Sequence, residues 1–103
     1  MYKPLQNYLT IRNSWIEGLG LFATEKIEQG TNLGVSHIPD EGYENGYIRT
    51  PLGGFINHSD SPNCMLIEED DDYHYKKLKT LRKIETGEEL CLKYSLYALC
   101  DYL

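Results

Sequence analysis

Alternation of apolar and polar residues with a period of two runs through much of this 103-residue chain. Successive side chains of an extended strand point to opposite faces, so that period marks strands. Residues 8–12 (Tyr-Leu-Thr-Ile-Arg) alternate and are rich in β-formers, and a short strand is predicted at 33–36. Residues 64–68 (Cys-Met-Leu-Ile-Glu) predict another, with Asp70, Asp71 and Asp72 as its turn and 73–81 returning antiparallel. In the last strand, 89–94, Leu90, Leu92 and Tyr94 share one face, opposite Glu89, Cys91 and Lys93. Turn-forming clusters separate these runs: residues 39–46 carry Pro39, Asp40, Gly42, Asn45 and Gly46, and residues 83–87 end on Gly87. From Ser95 the period lengthens. Leu96, Leu99, Cys100 and Leu103 follow helical spacing with Ser95 as N-cap, which predicts a short terminal helix. No internal repeat, linker or low-complexity tract is read. A chain of this length buries roughly 65% of its unfolded surface, enough for one core. The fold class is β-dominated, a single domain over residues 1–103.

Composition narrows the class further. Hydrophobic content of 41% and charged content of 25% are ordinary for a globular domain. Nine tyrosines against two phenylalanines stand out, because each buried phenol needs a hydrogen-bond partner. No apolar run approaches the ~20 residues of a membrane helix, and Met1-Tyr-Lys-Pro does not begin a signal peptide, so an intracellular protein with no membrane partner is expected. Cys64, Cys91 and Cys100 are odd in number and form no C-x-x-C pair, and His37, His58 and His74 show no ligand spacing. No metal site is therefore expected, and the cysteines read as small buried hydrophobes. A net charge of −6 favours basic partners over nucleic acid. The acidic run 68–72 and the basic set Lys76, Lys77, Lys79, Arg82 and Lys83 read as a solvated hairpin edge.

Candidate chemistry concentrates in residues 53–64, Gly-Gly-Phe-Ile-Asn-His-Ser-Asp-Ser-Pro-Asn-Cys. Phe55-Ile56 is an apolar anchor, and Asn57, His58, Ser59, Asp60 and Asn63 place five hydrogen-bonding side chains within seven residues. Alone, this reads equally as a self-satisfied polar turn or as a site. Residues 18–23, Gly-Leu-Gly-Leu-Phe-Ala, fit the permissive dinucleotide fingerprint but lack its flanking buried strand and long helix, since Gly30 stops any helix after about two turns. They remain either a tight turn or a place where Gly18 and Gly20 let the backbone approach a ligand. His58-Ser59-Asp60 has the letters of a hydrolase triad, yet consecutive residues of an extended segment point in alternating directions. Asn57-His58-Ser59 also spells a glycosylation sequon, which is expected to be a chance match in the intracellular protein anticipated above.

Three blocks in order resemble the SET-domain protein-lysine methyltransferase family: Gly18-Leu-Gly-Leu-Phe-Ala23 running on to Gly30, Phe55-Ile-Asn-His-Ser59 with Pro62-Asn63, and Gly87-Glu-Glu-Leu90 leading to Tyr94. The resemblance implies several small β-sheets with the C-terminal segment threaded as a pseudoknot. It implies S-adenosylmethionine held by Gly18, Leu19, Gly20, Asn57 and His58. It also implies an apolar lysine channel, for which Tyr47, Phe55 and Tyr97 are candidates, with Tyr94 catalytic where cofactor and lysine meet. The chemistry asks for such a channel: a lysine of pKa about 10.4 is neutral in only about one molecule in a few thousand near pH 7, and apolar surroundings favour the neutral nucleophile. Departures exist. Lys93 stands where the family often has Asp, Asp60 where a zinc-ligating Cys often follows, and the C-terminal Cys-x-Cys cluster is absent. The implied protein is a minimal stand-alone SET domain without a zinc-bound tail, acting on a basic protein or peptide such as a histone tail. A homodimer is the natural guess for so small a unit. The alternative is a catalytically inactive SET-fold interaction module.

Overall fold

The computed structural model describes residues 5–42, 46–68 and 75–93. Strands β1 (Leu9–Asn13) and β2 (Leu19–Ala23) form a hairpin in which Leu9 pairs with Ala23 and Asn13 with Leu19. Strand β3 (Asn32–Pro39) follows, then β4 (Tyr47–Arg49), helix α1 (Pro51–Gly54) and the two-residue β5 (Asn57–His58). Strands β6 (Cys64–Glu68), β7 (Lys76–Thr80) and β8 (Glu89–Leu92) complete the described elements. They assemble into two four-stranded sheets, ordered β1-β2-β8-β5 and β4-β3-β7-β6. One core joins them: Leu21, Ala23 and Leu90 from the first sheet meet Leu33, Leu78 and Cys64 from the second, with Leu52, Ile56 and Ile84 between.

The β-dominated prediction holds, and 64–68 is a strand as read. Other boundaries move for identifiable reasons. Strand β3 is twice the predicted length; it accommodates two register shifts against β7, one at Gly34, whose φ of +113° suits glycine alone. Three-residue β4 has no alternating pattern of its own and is held by pairing with β3, Ile48 opposite Ile38. Helix α1 begins on Pro51, whose missing N–H costs nothing there, and Gly53 lets it lie against the Ser36 carbonyl. The basic run is not an edge. Strand β7 lies between β3 and β6, and the stem of Lys76 is buried with its ammonium 5.2 Å above the Tyr47 ring and 4.0 Å from Glu68. The acidic turn at 70–72 and the terminal helix lie outside the described residues, as does the threading of the C-terminal segment.

A short internal repeat, missed in the sequence, ties the sheets. Lys-Ile-Glu-x-Gly occurs at 26–30 and at 83–87. Ile27 and Ile84 exchange both backbone hydrogen bonds, at 2.9 and 2.8 Å. Gly30 N–H donates to the Thr80 carbonyl and Gly87 N–H to that of Ala23, each four residues before the opposing isoleucine. Both glycines have positive φ, +79° and +86°. The two turns are related by a local two-fold, with both isoleucines in the core.

Candidate functional site around Asn57 and Glu89

Strand β8 runs between β2 and β5, antiparallel to the first and parallel to the second. The parallel pairing sets Asn57 beside Cys91 and His58 beside Leu92, so the central and closing blocks are neighbours in space. Asn63 fastens this junction. It is buried, its Nδ2 donates to the Glu89 carbonyl at 2.8 Å and to Glu88 Oε2 at 3.1 Å, and its Oδ1 accepts the Cys91 N–H at 2.8 Å. Glu88 also pairs with Arg82, and that hydrogen bond holds its carboxyl below the usual range.

At the start of β8 the Glu89 carboxylate turns onto the β1–β2 hairpin. Ser14 Oγ lies 2.8 Å from both of its oxygens and also accepts the Ile16 N–H at 2.9 Å. Asn57 Nδ2 reaches Glu89 Oε2 at 2.8 Å, Ser14 Oγ and the Glu17 carbonyl at 3.1 Å, and the Leu19 carbonyl at 3.3 Å. Gly20 makes the arrangement sterically open, because a Cβ there would collide with the Glu89 carboxylate. The close approach that Gly20 permits is thus made by this side chain. Gly18 closes the turn with φ +50°, its surroundings open, and Leu19 is 48% exposed. Trp15, the chain's sole tryptophan, stands 99% exposed on the same turn.

The sequence profile of the SET domain matches residues 39–95. A Schizosaccharomyces pombe (strain 972 / ATCC 24843) protein, the H3 lysine-37 specific histone-lysine N-methyltransferase, is 31% identical over 111 residues, covering 87% of this chain and 75% of its own. The chain belongs to the SET-domain family. Two solved structures share the fold of this SET domain. One is a Plasmodium falciparum protein ascribed histone methyltransferase activity, with TM-score 0.69 and 18% identity over 87% of this chain and 95% of that one. The other is the methyltransferase domain of human PR domain-containing protein 2, with TM-score 0.66 and 20% identity over 84% of this chain and 76% of that one.

Within the SET domain, the residues predicted from the sequence divide into three groups. Gly18, Leu19, Gly20 and Asn57 come together, joined by the bonds of Asn57 across 32 to 43 residues of chain, which excludes a self-satisfied turn for that side chain. His58 adjoins them on β5 and keeps a local partner, Asp60, at 3.3 Å. Tyr47 lies in the second sheet, its ring edge-on to buried His37 and beneath Lys76; Phe55 caps the C-terminus of α1, half-buried. Tyr94 and Tyr97 lie outside the described residues. Ser14 and Glu89 were not singled out in the sequence, whereas Asn63 was, among the polar side chains of residues 57–63, but without its fastening bonds to β8. Glu89 carried one signal: it is a charged residue on the strand face opposite Leu90 and Leu92, inside the Gly87-Glu-Glu-Leu block. Cys64 and Cys91 are buried free thiols, pushed up to about 12 and about 11 chiefly by desolvation, so they are inert hydrophobes as read. Among the described residues no His, Cys, Asp and Glu converge into a metal-holding group, and no helix is long and apolar enough to cross a membrane.

Proposed function

We propose that this SET domain is a protein-lysine N-methyltransferase that uses S-adenosylmethionine and acts on a basic protein tail, with histone tails as the substrate. The observation that carries this reading is the parallel pairing of β5 with β8. It sets Asn57 and His58 beside a strand whose chain reaches Tyr94 two residues after its end. The family membership and the H3 lysine-37 specificity named for the Schizosaccharomyces pombe relative support the lysine substrate.

The donor set fits the cofactor. Asn57 Oδ1 makes no hydrogen bond among the described residues, the turn at Gly18 is open, and half-exposed Leu19 offers an apolar ledge beside them. A cationic, partly apolar nucleoside derivative asks for that mixture. S-adenosylmethionine supplies an electrophilic methyl group on its sulfonium. The protein's own share is positioning and proton state. Residues 18–20, Asn57 and His58 hold the cofactor, and Tyr47, Phe55 and Tyr97 exclude water from the lysine, which favours its neutral form. The Tyr94 phenol orients the reacting groups through weak C–H···O and hydrogen-bond contacts. A homodimer completes the substrate groove, and the protein works inside the cell where histones are reached. The net charge of −6 draws cationic tails towards it.

Incubation with S-adenosylmethionine and core histones, followed by mass spectrometry, tests this reading. Methyl-lysine on a histone peptide is the expected product. Cofactor binding without methyl-lysine on histones or on any protein of a mixed lysate would instead mark an interaction module.

A further inference from the structure

The Asn57 amide has two ends of similar shape, and only its surroundings decide which faces the open side of the site. We propose that Glu89 is a positioning residue of the cofactor site: with Ser14 it anchors the Asn57 amide on the β1–β2 hairpin, where the Glu17 and Leu19 carbonyls share in fixing its orientation, and so pre-forms the cofactor-binding side; the proposal rests on S-adenosylmethionine being the cofactor. An ionised carboxylate only accepts, so it admits the Asn57 NH2 at 2.8 Å and rejects the carbonyl end. Ser14 Oγ, 2.8 Å from both carboxylate oxygens, completes the same pocket, and the Glu17 and Leu19 carbonyls accept from Nδ2 on the hairpin side. Every partner of Nδ2 is therefore an oxygen, and Oδ1 is left facing outwards as an acceptor for a donor group of the cofactor. The absence of a side chain at Gly20 is what lets the carboxylate reach this position. A glutamine at 89 presents an NH2 as readily as an oxygen. It would weaken the hold on Nδ2 and on the hairpin, while the Glu17 and Leu19 carbonyls still oppose a turned amide.

The test compares cofactor affinity by calorimetry with thermal stability, using Glu89→Gln, Ser14→Ala and the exchange pair Asn57→Asp with Glu89→Gln. Trp15 fluorescence reports the hairpin in each variant. Glu89→Gln is expected to weaken S-adenosylmethionine binding about tenfold or more, the scale of a hydrogen bond to a charged group, and Ser14→Ala by about threefold. Asn57→Asp alone opposes two carboxylates and is expected to bind worst. Combined with Glu89→Gln, it removes that repulsion but still sets a carboxylate oxygen against the Glu17 and Leu19 carbonyls, so affinity is expected to rise above that of Asn57→Asp alone and to stay below wild type. That recovery, without a matching rise in melting temperature, is what a merely structural role would not give. Glu89→Gln binding as wild type does, or an exchange pair no better than its worse single variant, overturns the assignment. If Glu89→Gln does not fold, unchanged affinity in Ser14→Ala overturns it equally. Wild type that fails to bind S-adenosylmethionine removes the cofactor reading and this assignment with it, whereas loss confined to the variants leaves both standing.

Discussion

Gly53 and Gly54 are adjacent in the same short helix, yet only one has room for a methyl group. A Cβ at Gly53 would meet the Ser36 carbonyl oxygen, a backbone atom that cannot swing aside, whereas nothing lies within 4 Å of a Cβ at Gly54. Gly53→Ala is expected to cost about 2 kcal/mol or more, and Gly54→Ala to be neutral or slightly stabilising; paired urea melts decide. Buried His37 gives a second residue-scale expectation. Burial, then the charges of Arg49 and Lys76, lower its pKa from 6.5 to about 4, and its Nδ1 meets Ser36 Oγ at 2.9 Å. Between those pH values the unfolded chain binds a proton that the folded chain refuses, so stability present at pH 7 drains away as pH falls from about 6.5 to 4. The whole shift is worth up to about 3 kcal/mol. His37→Gln should flatten that part of a stability-against-pH curve, and an unchanged slope would show that another group titrates. The sequence marked His37 only as a histidine without ligand spacing; its burial depends on α1 and β4, which pack over β3 from further along the chain.

Elements in this fold owe more to their partners than to their own composition. Strand β6 was legible because it is a short, continuous apolar run, Cys64 to Ile67, bounded by Pro62 and the acidic turn. Residues 18–23, which hold β2, were read as either a tight turn or a close approach to a ligand, because the group that fills the space at Gly20 comes from Glu89, 69 positions away and invisible locally. The lysines of β7 look solvated in sequence, but a central strand buries every second residue, and among them is Lys76, accommodated by Glu68 and Tyr47. The junction of β5 with β8 was legible as two blocks and a resemblance, while its fastening was not. Asn63→Ala removes the acceptor of the Cys91 N–H and both donor bonds to β8 and its preceding turn. It is expected to destabilise the domain by about 2–3 kcal/mol and to speed hydrogen exchange at the Cys91 amide, the β1–β2 hairpin being less affected. Uniform acceleration across both sheets would mean that Asn63 supports the whole core and has no special part in this junction.

At the scale of the whole molecule, two small sheets share one core, and the site lies where the last described strand is inserted between an early hairpin and the central block. Such pairings between distant segments are what ordered motifs reveal and periodicity does not. The three blocks therefore disclosed the family, whereas the Ser14–Glu89–Asn57 contact needed coordinates. The excess negative charge acts at this scale too: if it steers a basic substrate, KM for a histone-tail peptide should rise several-fold between low and physiological salt while kcat stays constant. Methyl transfer at the junction of β5 and β8, as proposed above, is tested by following labelled methyl from S-adenosylmethionine to core histones, with wild type beside Tyr94→Phe. Label is expected on a histone band with wild type, and almost none with Tyr94→Phe at near-unchanged cofactor affinity. Equal labelling by both would remove Tyr94 from the mechanism, and no labelling by wild type that binds the cofactor would contradict the claim itself.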